Sequence, residues 1–150
     1  MALPTILDCD PGHDDAIALL LAVASPELEL LGVTTTYGNQ TLAKTTKNAL
    51  RVLELVGRSD VPVASGAERP LARDLAVAAH VHGESGLDGP SLPDASGSPV
   101  SEDAVAFAAE LVAANAPVTL VATGPLTNVA RYLAAHGIGC LLYTSPSPRD

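Results

Sequence analysis

At 150 residues and 15.2 kDa the chain holds one domain with a real core and is too short for two of ordinary size; hydrophobic residues make up 47% of it, so burial is not limiting. Eight basic against 17 acidic residues give a net charge of −9, which argues against a nucleic-acid or anionic-membrane partner and suits a protein that collects a cation. Cys9 and Cys140 are far apart in sequence and Cys9 falls in a buried strand, so no disulfide framework is expected, and the compartment is a reducing one. No basic flank or signal-type segment opens the chain, and the apolar stretch from Ala16 to Ala24 is too short to span a membrane. The expected location is the cytoplasm.

Strand and helix signals then alternate, the pattern of a parallel sheet with crossover helices. Pro4 to Cys9 reads as the first strand, and His13 to Ala24 as a helix apolar on nearly all sides and hence buried, stopped by Ser25-Pro26. Leu28 to Thr36 is a β-rich run closed by Tyr37-Gly38-Asn39. Thr41 to Val56 is helical, with Gly57 as its stop, and Val61 to Ala64 is a short strand. The loop-rich segment from Ser65 to Gly97 carries one short helical stretch near Leu71 to Ala79. Ser101, with Asp103 in the following turn, opens a helix through Ala114; Pro117 to Ala122 is an apolar strand, and Pro125 to Ala135 the next helix. The fold expected is an open, mostly parallel α/β sheet with helices on both faces, Rossmann-like and truncated. Residues 140–150 fit no next element and look like read-through of a sequencing adapter. Residues 1–139 are therefore read as the amino-terminal part of a single longer domain.

Four aspartates fall within eight residues, in Asp8-Cys-Asp-Pro-Gly-His-Asp-Asp15, between the first strand and the first helix. Like charges so crowded repel, and withdrawing them from water costs several kcal/mol each unless something positive meets them. A hard divalent cation, calcium or magnesium, is the simplest partner for oxygen-only ligands. Asp8 and Asp10, two apart on a strand, share a face. Asp14 and Asp15 fall in the first helical turn, where backbone N–H groups are free. Ligands of an open parallel sheet bind beyond the carboxyl ends of its strands, and that rule brings Asp10, Asp14 and Asp15, Asn39, and Thr123-Gly124 to one crevice. The glycine-rich loop His82 to Gly89 can fold over the same edge.

The chain resembles the inosine/uridine-preferring nucleoside hydrolases in four motifs, in order. They are Asp8-Cys-Asp-Pro-Gly-His-Asp-Asp15, Tyr37-Gly-Asn-Gln-Thr41, His82-Gly-Glu-Ser-Gly-Leu-Asp-Gly89 and Val121-Ala-Thr-Gly-Pro-Leu-Thr-Asn128. The resemblance implies hydrolysis of the N-glycosidic bond of ribonucleosides to free base and ribose, in nucleoside catabolism and salvage. By resemblance, Asp10 and Asp15 bind calcium together with the main-chain carbonyl of Thr123, and Asp10 is the base for the attacking water. Asp14 and Asn39 would hold ribose hydroxyls, His82 would serve the base-binding region as a catalytic and substrate-binding group, and Asp8 would support the others from behind. The first motif with His82-Gly-Glu-Ser-Gly looks most like the pyrimidine-preferring members. The resemblance further implies a homo-oligomer, dimer or tetramer, at full length, and an inactive protein when only this chain is present, because the leaving-group acid and one more calcium carboxylate belong to the rear half.

Two other readings compete. Asp8, Asp10 and Thr123 superficially match a magnesium-dependent phosphatase of the haloacid dehalogenase type, against which stand Pro11-Gly12 and the Asp14-Asp15 pair. A non-catalytic ribose- or calcium-binding module is the third. His80-x-His82 lacks further ligands for zinc, and Asn39 taken alone is better explained as a turn residue with left-handed backbone.

Overall fold

Apolar alternation along the first strand decides which side of the sheet each helix covers. The computed structural model describes residues 1–137. Its strands are β1 (Leu3–Cys9), β2 (Leu28–Thr35), β3 (Val63–Ser65) and β4 (Thr119–Ala122), and its helices α1 (His13–Ala24), α2 (Leu42–Leu55), α3 (Ala79–His82), α4 (Ala104–Asn115) and α5 (Thr127–His136). Leu7 and Cys9 of β1 enter a buried cluster with Leu19 of α1, Val33 of β2 and Val52 and Leu53 of α2. Each such leucine, fully buried, contributes about 1.5 to 3 kcal/mol of burial free energy. Gly32 of β2 meets α4 on the other face: a Cβ there would lie 2.7 Å from the Phe107 ring and 3.0 Å from Leu111. Helices therefore cover both faces, as the alternation predicts.

All four strands are parallel, in the order β3-β2-β1-β4. The chain steps outward from β1 through β2 to β3, then returns to the far side of β1 as β4. The order reverses between β1 and β4, and in such sheets the crevice for ligands opens at that reversal, beyond the carboxyl ends of the strands. Register puts Asp8 beside Thr34 on β2 and Ala122 on β4. Thr123 then donates its main-chain N–H to the Asp8 carbonyl at 2.9 Å, so the turn after β4 lies against the end of β1.

Several expectations are corrected. The helical stretch near Leu71 to Ala79 does not form; residues 71–76 are exposed and irregular, and only the single turn of α3 follows. A helix that short is marginal unless an amphipathic face packs against something, and this one has no face to pack. Helix α1 is not buried all round: Asp15, Leu19 and Ala22 are buried, while Ile17 and Leu21 are about two-thirds exposed, at 64% and 65%. Asp103, not Ser101, caps α4, accepting from the N–H groups of Val105 and Ala106. The helix expected from Pro125 starts at Thr127, because the Pro125 carbonyl is taken by a tight turn to Thr127 N at 2.8 Å. Cys9 is a free, buried thiol. Cys140 and the suspected tail at 140–150 lie outside the described residues. No helix among the described residues is long and apolar enough to cross a membrane.

Candidate active site

Strand β1 ends at Cys9, and there the aspartates part company. Asp8, still on the strand and 1% exposed, turns its carboxylate to Thr34 and Asn128, whose Oγ1 and Nδ2 donate to Oδ1 at 2.6 and 2.7 Å. Its Oδ2 has no hydrogen-bond partner among the described residues. Burial, partly offset by those two bonds, raises its carboxyl above the ordinary value. Asp8 thus braces the strand rather than lining the crevice.

Asp10, one residue past the strand, points into it. Its Oδ2 accepts the Asn39 main-chain N–H at 2.6 Å, and its carbonyl accepts Asn39 Nδ2 at 3.0 Å. Its own N–H donates to Asp15 Oδ2 at 2.7 Å, so the first turn of α1 folds back over the loop it follows. Asp15 is buried at that position. The Asp10 carboxyl is pushed up to about 7, first by burial and then by the neighbouring Asp15 charge, against the opposing Asn39 N–H. Among the described residues, none of the ion pairs of Lys44, Lys47, Arg51 or Arg58 reaches these aspartates.

Two glycines shape the space around that carboxylate. Gly38, at φ +150°, is so close that a Cβ would collide with Asp10 Oδ2. A Cβ on Gly124, after β4, would stand 2.8 Å from Asp10 Oδ1. Thr123, the residue whose carbonyl the resemblance assigns to the metal, immediately precedes it. Asn39 also reaches Asp14 Oδ1, at 3.4 Å, on the exposed rim. No non-glycine residue among those described has a positive φ, so Gly38 takes the special backbone angle and Asn39 is not a left-handed turn residue. Its amide is free to serve Asp10 and Asp14.

His82 lies against the turn that carries the aspartates, near Asn39. Its ring stacks on His13 with centroids 5.4 Å apart, and its Nδ1 is 3.3 Å from the His13 main-chain N–H. The loop after it is pinned by Asp88, which accepts from the N–H groups of Glu84 and Ser85, both at 3.0 Å, and from the Ser85 hydroxyl. The crevice thus gathers Asp10, Asp14, Asp15, Asn39, Gly124 and His82, while Asp8 stands behind.

The donor set can be tested against a metal ion. Its atoms are hard oxygens, two carboxylates are crowded without a cation, and the two glycines let the backbone approach the Asp10 carboxylate closely. Such a set fits calcium in kind but supplies only part of the roughly six to eight oxygens calcium takes. Among the described residues no three histidine, cysteine, aspartate or glutamate side chains come together closely enough to enclose an ion.

Asn128 escaped the sequence reading although it closes one of the motifs. Its Nδ2 bridges Asp8 Oδ1 and the Thr35 carbonyl at 3.0 Å, and its Oδ1 accepts Ala67 N–H at 2.9 Å. An asparagine in the first turn of a helix that faces a buried aspartate was the available signal.

The inosine-uridine preferring nucleoside hydrolase family model matches residues 5–137. The chain belongs to that family. The phosphatase reading is set aside with this match. A pyrimidine-specific ribonucleoside hydrolase RihA from a Shewanella species (strain MR-7) is 62% identical over 138 residues, covering 91% of this chain and 43% of the relative. Among solved structures, the plant nucleoside hydrolase PpNRh1 superimposes with a TM-score of 0.81 at 38% identity, over 90% of this chain and 43% of the plant enzyme. A purine-preferring ribonucleoside hydrolase from Gardnerella vaginalis gives 0.80 at 36%, over 89% of this chain and 44% of the other. The chain therefore spans less than half the length of these relatives.

Proposed function

We propose that the full-length protein hydrolyses the N-glycosidic bond of ribonucleosides, releasing the free base and ribose, with pyrimidine nucleosides preferred. The observation that carries this reading is the Asp10 carboxylate. It sits at the reversal point of the sheet, paired with the Asn39 N–H and crowded by Asp15. A carboxylate fixed in this way can accept a proton from a water beside it, as a general base must. Cleavage of an N-glycosidic bond develops positive charge on the sugar, and the carboxylates of Asp10, Asp14 and Asp15 oppose it at short range. Asp14 and Asn39 form a polar rim suited to vicinal hydroxyls. Calcium, held by Asp10, Asp15 and the Thr123 carbonyl, would gather the ribose diol and a water and make that water more acidic. Asp8, bonded to Thr34 and Asn128, would hold the end of β1 for Asp10, and the family resemblance supports His82 as the group that meets the base.

Pyrimidine preference rests on the 62% identity to a pyrimidine-specific relative. The fold does not decide it, since a purine-preferring relative superimposes equally well. A homo-oligomeric enzyme of the cytoplasm, acting on a small-molecule ribonucleoside, completes the reading.

The decisive experiment is Asp10→Ala in the full-length protein, assayed on p-nitrophenyl riboside and on uridine, cytidine and inosine. Loss of the base should lower kcat at least about a hundredfold. Near-native turnover would remove Asp10 from its role, and kcat/KM for inosine above that for uridine would remove the pyrimidine preference.

A further inference from the structure

The segment from His82 to Asp88 has neither a strand nor a long helix to hold it, so what fixes it must come from elsewhere. Asn48, in the middle of α2 and 1% exposed, donates from Nδ2 to the Pro11 carbonyl at 3.1 Å and to the Ser85 carbonyl at 2.9 Å. A carboxamide nitrogen has two N–H groups, and both leave the helix, one for each loop. Gln40 adds a bond from Nε2 to the Gly83 carbonyl at 3.1 Å. The loop comes so close that a Cβ on Gly86, whose φ is +84°, would lie 2.9 Å from Asn48 Nδ2. At the far end of the same assembly, a Cβ on Gly12 would stand 2.6 Å from His82 Nδ1 and 2.8 Å from Asn39 Nδ2. The backbone that carries the aspartates is thus the surface on which His82 rests, beside the amide assigned to ribose.

We propose that Asn48 is the positioning residue that fixes the His82 loop against the Pro11-Gly12 turn, setting the distance between the aspartates and the histidine. Asn48 lies under both loops and acts through their carbonyls. Polar residues inside helices commonly bond back to their own helix or face solvent, and this buried amide does neither. Alanine at position 48 strands two carbonyls, and aspartate would face both with another acceptor. Because both bonds serve one spacing, loss of Asn48 loosens the His82 loop while leaving intact the Asn39 N–H bond to Asp10 and the Asp10 N–H bond to Asp15.

The proposal rests on the nucleosidase reading for its kinetic part, and two readouts keep them apart. In the full-length enzyme, His82→Ala and Asn48→Ala should each lower kcat/KM for uridine about tenfold, and the double variant should fall by no more than about threefold further, since residues acting through one contact are not additive. Losses that multiply would overturn the proposal. Hydrogen exchange, independent of activity, should be faster in residues 83–88 of Asn48→Ala with α1 and β1 unchanged; wild-type protection there would equally overturn it. Should Asn48→Ala fail to fold, Gly86→Ala strains the same junction from the loop side and should reproduce both effects; unchanged kcat/KM and exchange in that variant would count against the junction. A wild-type enzyme without nucleosidase activity would defeat the functional reading alone and leave the exchange test standing.

Discussion

The aspartate loop and the histidine loop pack against each other at the edge of the crevice but are held in different ways. Residues 8–15 hang from the sheet: Asp8 is tied to β2 and α5, Asp10 to the end of β2 through Asn39, and Asp15 back to Asp10, with the tying groups of Asp8 and Asp15 buried. Residues 82–88 are tied to themselves by Asp88 bonds that lie in the open, and to the body by side chains, through Asn48, Gln40, Lys44 and His13 and through Leu87 in the core. Buried hydrogen bonds are costly to lose, whereas exposed ones exchange with water at little cost. The sheet therefore holds rigidly the part assigned to the general chemistry. The part assigned to base recognition rides on a loop held mostly by side-chain bonds, with Leu87 as its anchor in the core.

That contrast breaks first at Gly38. A Cβ there meets the Asp10 carboxylate directly, so Gly38→Ala should weaken calcium binding by the full-length protein about ten- to a hundredfold, the usual cost of disturbing groups around metal ligands. Calorimetric titration reads this, and unchanged affinity would show that the Asp10 carboxylate is not held as tightly as its neighbours imply. Next in size is Asn128→Ala, which takes a donor from Asp8 and from the Thr35 carbonyl and leaves the Ala67 N–H unpaired. Buried groups left without partners should cost about 1 to 3 kcal/mol in denaturant unfolding. A change near zero would mean that water replaces the amide and that this loop is no stiffer than the other.

Much of this site was legible in the sequence because its ingredients are local. Strand β1, the turn at Pro11-Gly12 and the start of α1 are fixed by an apolar run, a breaker pair and acids in a first helical turn. The sheet rule then collected Asn39 and Thr123-Gly124 without any knowledge of distance. What could not be read depends on partners far away in the chain. Asp8 shares a strand face with Asp10 in the pattern, yet its carboxylate belongs to Thr34 and to Asn128, 120 positions on. Asn48 likewise shows in the sequence only as a polar residue inside an amphipathic helix. The helix expected at Leu71 to Ala79 had adequate propensity and no surface to pack on, and propensity alone did not form it.

The smallest expected effect tests the self-tied loop. The Asp88 carboxyl is held below its ordinary value of 3.8, first by the Ser85 hydroxyl and then by the N–H groups of Ser85 and Glu84. A carboxylate depressed by folding contributes order that is present above its unfolded value and is lost as pH falls through the folded one. The amide resonances of Glu84 and Ser85 should therefore shift toward unstructured positions only below about pH 4. Asp88→Asn removes the charge while keeping one acceptor oxygen. It should loosen residues 83–88 at every pH, flatten that acid transition and leave the melting temperature unchanged. If the variant instead lowered the melting temperature as Asn128→Ala is expected to, the histidine loop would be part of the same cooperative unit as the aspartate loop. Base recognition could then not vary independently of the chemistry beneath it.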